Sequence, residues 1–325
     1  LLLVFVPTFL YVGILWWLDR YEKEPLFLLA AAFIWGGIPA IILALILEII
    51  LDIPITAFSP SPLMYDLLGS AAGAPLVEEL VKGLALVLLL VFWKREIDGP
   101  LDGVVYGGMV GFGFAAVENL LYLLSAFEEG GLESTLTLAF MRIVLFGLNH
   151  AMYTGFTGLG VALALESRNL WLKLASPIMG FGLGVIVHAA HNAFTTLFSY
   201  SEGALAFCFA VGIDWSGVLV LLIVLFTALY LEKRRVTTYL RGAVAVGLLA
   251  QRHVPTVSSP WRRTGTRLLA LLRGDFERWR TLGRYYHLVT EAAFSSRRWQ
   301  RGDAISKTHL AHLEQELLAM RGILD

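Results

Sequence analysis

Glu78-Glu79-Leu-Val-Lys82 places two carboxylates and an ammonium within about one helical turn, inside the apolar stretch from Gly73 to Trp93. That stretch is long enough to cross a bilayer, for which about 20 residues are needed. Each ionised group near the middle of such a segment costs on the order of 3 kcal/mol, so three of them need partners or a use. Glu78 and Lys82 stand at i, i+4, the favourable order for a helical ion pair, and that pair leaves Glu79 over. Other apolar stretches carry similar groups: Glu118 with Asn119, Arg142 with His150, and His188 with His191 and Asn192. Carboxylates and imidazoles meeting in a low-dielectric pocket can polarise a water, with Glu as general base. Glu, Glu, His and His also make an oxygen and nitrogen donor set suited to Zn²⁺. The chain contains neither HExxH nor GxSxG, which argues against a conventional zincin or serine hydrolase. Hydrolysis by an activated water remains, with or without a metal. A proton or metal-ion transporter is the alternative, using the same groups as a relay.

The elements that must position these groups are helices in a membrane. Apolar residues make up 57% of the 325 and charged ones only 16%, a balance that points to an integral membrane protein. Seven apolar stretches read as spans, at roughly 1–17, 27–51, 74–93, 102–125, 135–165, 171–199 and 204–231. Arg20 and Lys23 lie in the first connection, Lys94 and Arg95 in the third, Arg168 and Lys173 in the fifth, and Lys233, Arg234 and Arg235 follow the last span. The second, fourth and sixth connections have no Lys or Arg. By the positive-inside rule the N-terminus is outside and the C-terminus inside. Glu78, Glu79, Lys82, Glu118, Arg142 and His188 then fall within roughly 10–15 Å of one plane in the outer half of the bilayer, at about 1.5 Å per residue, with His150 deeper. Rows at i+4 agree: Gly103, Gly107, Gly111 and Ala115 lead to Glu118, and Gly180 and Gly184 lead to His188 and Asn192. Small residues at this spacing bring helices close, so the polar groups on those rows face the bundle. Arg142 reads as a countercharge for Glu78 or Glu118, and Asn119 as a cross-helix hydrogen-bonding group. His191 reads as a buried, hydrogen-bonded imidazole rather than a metal ligand, and Asp102 as a helix N-cap.

The expected architecture is all-α: a polytopic transmembrane bundle over 1–231 and a basic, cytoplasmic helical tail over 232–325. From Glu232 onward 17 basic residues stand against 8 acidic ones. Two amphipathic helices are expected there, Thr266 to Leu288 and Ile305 to Leu324. Trp261, Arg262, Trp279, Arg280, Arg298 and Trp299 suggest contact with anionic lipid, while no base-reading motif points to nucleic acid. One cysteine, Cys208, allows no intrachain disulfide.

An ordered set of motifs resembles the PrsW family of intramembrane proteases, relatives of the CAAX prenyl proteases and bacteriocin-processing enzymes. It comprises Asp19-Arg-Tyr-Glu-Lys-Glu-Pro25, the EExxK motif Glu78-Glu79-Leu-Val-Lys82, and Asp98-Gly-Pro-Leu-Asp-Gly-Val-Val-Tyr-Gly107. The FxxxE motif Phe114 to Glu118 follows, then Arg142 with His150, and the HxxxN motif His188-Ala-Ala-His-Asn192. EExxK alone is weak; the ordered set over 19–192 is specific. The resemblance implies hydrolysis of membrane-anchored proteins, in a multi-pass protein of a bacterial or archaeal plasma membrane. It also implies roles: Glu78 and Glu79 supply the base, Glu118 is the second carboxylate, and Asn192 donates to the oxyanion. His150 and His188 bind metal or assist, with Glu118 as a further ligand and Lys82, Asn119 and Arg142 in support. Related proteases have His where this chain has Glu118. The family is called a metalloprotease family, and a glutamate mechanism without metal fits the same residues.

Overall fold

The computed structural model describes every residue except Glu22, Glu202, Arg301, Arg321, Leu324 and Asp325. Among the described residues the chain is helical, with no strand. It divides into two compact units, Leu1–Asp19 with Glu24–Phe226, and Arg20–Lys23 with Thr227–Asp325. The Glu22 of the first motif and the Leu324 at the end of the expected second tail helix lie outside the described residues.

In the first unit, α1 (Leu2–Leu18) is followed by α2 (Leu26–Trp35), a π-helical turn over Gly36–Ala40 and α3 (Ile41–Phe58). The short α4 (Pro62–Asp66) leads through a second π segment, Leu67–Gly73, into α5 (Ala74–Phe92). Next, α6 (Pro100–Ala139) breaks at Gly131, whose φ of 66° is left-handed, a conformation glycine adopts without a Cβ penalty. A third π segment, Phe140–Leu145, precedes α7 (Asn149–Glu166), and then come α8 (Leu170–Ser201) and α9 (Ala204–Ala245), whose residues from Thr227 on belong to the second unit. Leu26–Phe58, Pro100–Glu166, Leu170–Ser201 and Ala204–Ala245 are long and apolar enough to cross a membrane. The expected cap of α6 is corrected in detail: Gly99 is the N-cap, and Asp102 at the third position turns back to accept the Asp98 and Gly99 amides at 2.8 and 2.7 Å. Its longer reach inside the helix satisfies amides that would otherwise lack partners.

Glycine sets the spacing of the central helices. A Cβ on Gly103, Gly107 or Gly111 would collide with the backbone of Gly158, Thr154 or His150 respectively. These pairs descend α6 while ascending α7, so the two are antiparallel with their backbones in contact. Gly160, Gly180 and Gly184 bring α7 and α8 together in the same way. Large apolar side chains fill the remaining core, among them Leu86, Met109, Phe114 and Phe156, and many more face outward: Leu10, Ile46, Val91, Leu124, Ile178 and Phe226 are all exposed. An apolar exterior of this extent needs lipid or protein around it.

The second unit is built the other way round. Its core holds Tyr21, Val236, Leu240, Val257, Leu282, Tyr285, Val289, Ala292, Leu313 and Leu317. The helix expected over 266–288 is two helices, α11 (Pro260–Leu272) and α12 (Phe276–Gln300), following the one-turn α10 (Val254–Val257). Gly274, at φ 74°, ends the first, and Asp275 caps the second by accepting the Arg278 amide at 2.9 Å. The last helix, α13, spans Ala304–Ala319.

Candidate active site

Pro75, in the first turn of α5, suits a helix start, and the next turns carry Glu78, Glu79 and Lys82. All three are buried. The Lys82 ammonium lies 2.5 Å from Glu79 Oε1, 3.3 Å from Glu78 Oε2 and 3.1 Å from His150 Nδ1. It also sits over the Phe114 ring at 4.2 Å. With the ammonium donating, His150 Nδ1 accepts, and Nε2–H is left to donate to Glu118 Oε2 at 2.8 Å.

The two adjacent carboxylates are held differently. Glu79, fully buried, accepts from Thr154 Oγ1 at 2.9 Å and from His188 Nδ1 at 3.1 Å, besides Lys82. Both of its oxygens are engaged. Glu78 lies 3.8 Å from His150 Nδ1 and 3.9 Å from His188 Nε2, near both rings without a hydrogen bond to either. Glu78, His150 and His188 each offer a donor atom within 4.8 Å of the others. This buried oxygen and nitrogen set can hold a metal ion. Lys82 touches two of the three donors, so an ion there requires the ammonium to withdraw onto Glu79. Glu118, which sequence placed in the metal set, gives Oε2 to His150 and to Arg142 Nη2, the latter at 2.6 Å.

Arg142, on the π segment before α7, also donates from Nε to Asn119 Oδ1 at 2.8 Å and lies over Tyr122 at 3.8 Å. Asn192 donates to the Ser70 carbonyl at 2.7 Å. A cavity of about 850 Å³ has Glu48, Glu78, Glu118, His150, His188, His191 and Asn192 on its wall. Glu79 and Lys82 stand behind that wall.

Four residues around these groups had no role assigned from the sequence. Thr154 anchors Glu79. Tyr153 stacks on His188, ring centroids 4.4 Å apart and 15° from parallel. Asp214 of α9, 1% exposed, accepts from Tyr153 OH at 3.0 Å, Asn149 Nδ2 at 2.9 Å and His191 Nδ1 at 2.6 Å. Asp214 had left a signal, being the only charged residue between Ala204 and Leu231. Thr154 stands on the i+4 row of Arg142, Phe146 and His150, while Asn149 and Tyr153 had left no signal, since uncharged polar residues are common in packed helices.

A family profile described as "PrsW family intramembrane metalloprotease" matches residues 24–231. The chain is 31% identical over 170 residues to Protease PrsW of Geobacillus kaustophilus (strain HTA426), covering 51% of this chain and 68% of that one. It is 31% identical over 157 residues to Protease PrsW of Clostridioides difficile (strain 630), covering 47% and 63%. To Protease PrsW of Shouchella clausii (strain KSM-K16) it is 28% identical over 184 residues, covering 56% and 76%. No solved structure matches the chain.

Proposed function

The chain belongs to the PrsW family of intramembrane metalloproteases, and on that premise we propose that it hydrolyses peptide bonds of membrane-anchored proteins in the cavity beside Glu78. The observation that carries this reading is the unequal state of the two adjacent carboxylates. Glu79 is saturated at both oxygens by Lys82, Thr154 and His188, whereas Glu78 accepts from Lys82 at one oxygen, at 3.3 Å, and faces the cavity with two imidazoles just beyond hydrogen-bond reach. Glu78 therefore takes the proton of the attacking water, and Glu79 is the group that fixes His188. Glu118 does the same for His150, and Arg142 holds Glu118 in place. Where an ion is bound, Glu78, His150 and His188 would hold it, and it would supply Lewis acidity at the attacked carbonyl and acidify the water. Thr154 and Tyr153 hold Glu79 and His188 from behind, so that neither must reorganise as charge develops.

The transporter alternative is not favoured by this family membership. Topology follows the basic connections: seven passes, N-terminus outside, C-terminal unit in the cytoplasm of a prokaryotic cell. Gly131 supports two passes within Pro100–Glu166 by breaking α6. On the C-terminal unit, exposed Trp261, Leu272 and Phe276 among Arg262, Arg273 and Arg278 fit contact with anionic lipid. The test is reconstitution of the purified protein in lipid vesicles with single-span peptides, comparing wild type with Glu78→Ala, Glu79→Ala and His188→Ala, with and without chelator. Loss of cleavage in the Glu78 variant is expected; cleavage surviving all three substitutions overturns the assignment.

A further inference from the structure

Three imidazoles line the cavity, and each is held by a carboxylate from another helix. His150 is held by Glu118, His188 by Glu79 and His191 by Asp214. The reaction above uses the first two pairs. His191 belongs to neither the Glu78/His150/His188 donor group nor the contacts that steady it.

The third pair is built as firmly as the others. Asp214 Oδ2 accepts from His191 Nδ1 at 2.6 Å and from Asn149 at 2.9 Å, and Oδ1 accepts from Tyr153 at 3.0 Å. Among the described residues no Lys or Arg touches this buried carboxylate, so His191 is the one contacting side chain able to carry the opposite charge. Phe146 packs edge-on against the His191 ring, centroids 4.8 Å apart. With Nδ1 committed to Asp214, Nε2 is the nitrogen left for the cavity. A carboxylate that fixes an imidazole's orientation and faces the charge it gains is the arrangement that proton-shuttling enzymes use.

We propose that His191 is a catalytic residue that protonates the departing amine, and that Asp214 is its positioning residue; the proposal rests on the hydrolase reading above. The water oxygen bonds to the carbonyl carbon as Glu78 takes one of its protons. When the C–N bond breaks, its electron pair goes to nitrogen, and the proton on His191 Nε2 passes to that nitrogen, which leaves as a neutral amine. The proton on Glu78 then returns to His191 through water in the cavity, and one water has been consumed.

The test exploits leaving-group chemistry. A library of apolar single-span peptides is reconstituted with the enzyme, the cut bond is located by mass spectrometry, and that peptide is remade with an ester in place of the cut amide. An alkoxide leaves far more readily than an amide anion, so only the amide depends strongly on an acid. His191→Gln and Asp214→Asn are each expected to lower amide cleavage by about 100-fold or more, while ester cleavage falls by less than about tenfold and reports that the site is intact. Tyr153→Phe, which removes one Asp214 contact and leaves the pair in place, is expected to lower both equally. Equal losses on amide and ester for His191→Gln, or no loss on either, overturn the proposal. A wild-type protein that cleaves neither overturns the hydrolase reading, and this proposal with it.

Discussion

The two units solve opposite burial problems. In the first, glycines, carboxylates, imidazoles and a lysine share the interior with apolar side chains, and much leucine, isoleucine and phenylalanine is exposed outside. In the second, tyrosine, valine and leucine form the core, and most of the surplus arginine is at the surface. Both bury charge, but in different company. Arg263, 7% exposed, is spanned by neutral acceptors, the Val257 carbonyl at 2.5 Å and Thr290 Oγ1 at 2.7 Å. Glu78, Glu79 and Lys82 are buried against each other and against titratable rings. A buried charge tied to neutral groups steadies a core; a buried charge set among others that trade protons can do chemistry.

That contrast can be broken by substitution. Glu78→Gln keeps the shape of the side chain and removes the base, and is expected to lower peptide cleavage by about 10³-fold with little change in unfolding. The same variant and His188→Ala should retain less Zn²⁺ after dialysis, as elemental analysis would report. Glu79→Gln is expected to cost cleavage by a smaller factor, about 10–100-fold, because Glu79 orients His188 and holds the Lys82 ammonium without taking the proton of the water. If it equals Glu78→Gln, the division of labour between the two is wrong. Arg263→Ala should leave cleavage within about twofold and destabilise the second unit by about 2 kcal/mol, read from chemical denaturation of the whole protein followed by tryptophan fluorescence. Cleavage lost without unfolding would erase the contrast.

The smallest effect is one of pH. Burial pushes the phenols of Tyr21 and Tyr285 up to about 12, while an unfolded tyrosine titrates near 10. The folded unit keeps those protons where the unfolded chain releases them. Its stability is therefore fully present below about pH 10 and declines as pH rises towards 12, by at most about 1.4 kcal/mol per unit for each tyrosine. Tyr21→Phe should flatten that decline; an unchanged slope between pH 10 and 12 would place the sensitivity elsewhere.

Much of the first unit could be read in the chain because lipid imposes a simple rule. A charge such as Glu118 or Lys82 in an apolar run must face inward, so the run announces both its helix and its buried face. Depth alone brought Glu78, Glu118 and His188 near one level and set His150 deeper, whereas the structure stands its ring between Glu118 and Lys82. The division between Glu78 and Glu79 could not be read, because it depends on Thr154 and on which face of His188 turns towards α5. The second unit was less legible. Apolar periodicity runs through Gly274 without a gap, so one helix was expected where the chain turns, and the positive φ there is a property of backbone rather than pattern. Tyr21 joins a core built mostly from residues more than 200 positions later, a contact no local window contains.

Gly111 carries a last implication. Its missing side chain lets α6 rest on the backbone of His150, the residue whose ring stands between Glu118 and Lys82. The gauge of the cavity beside His150 is thus set by an absent methyl. Restoring it would act as a shim, lifting the imidazole off its neighbours while leaving every polar group chemically unchanged.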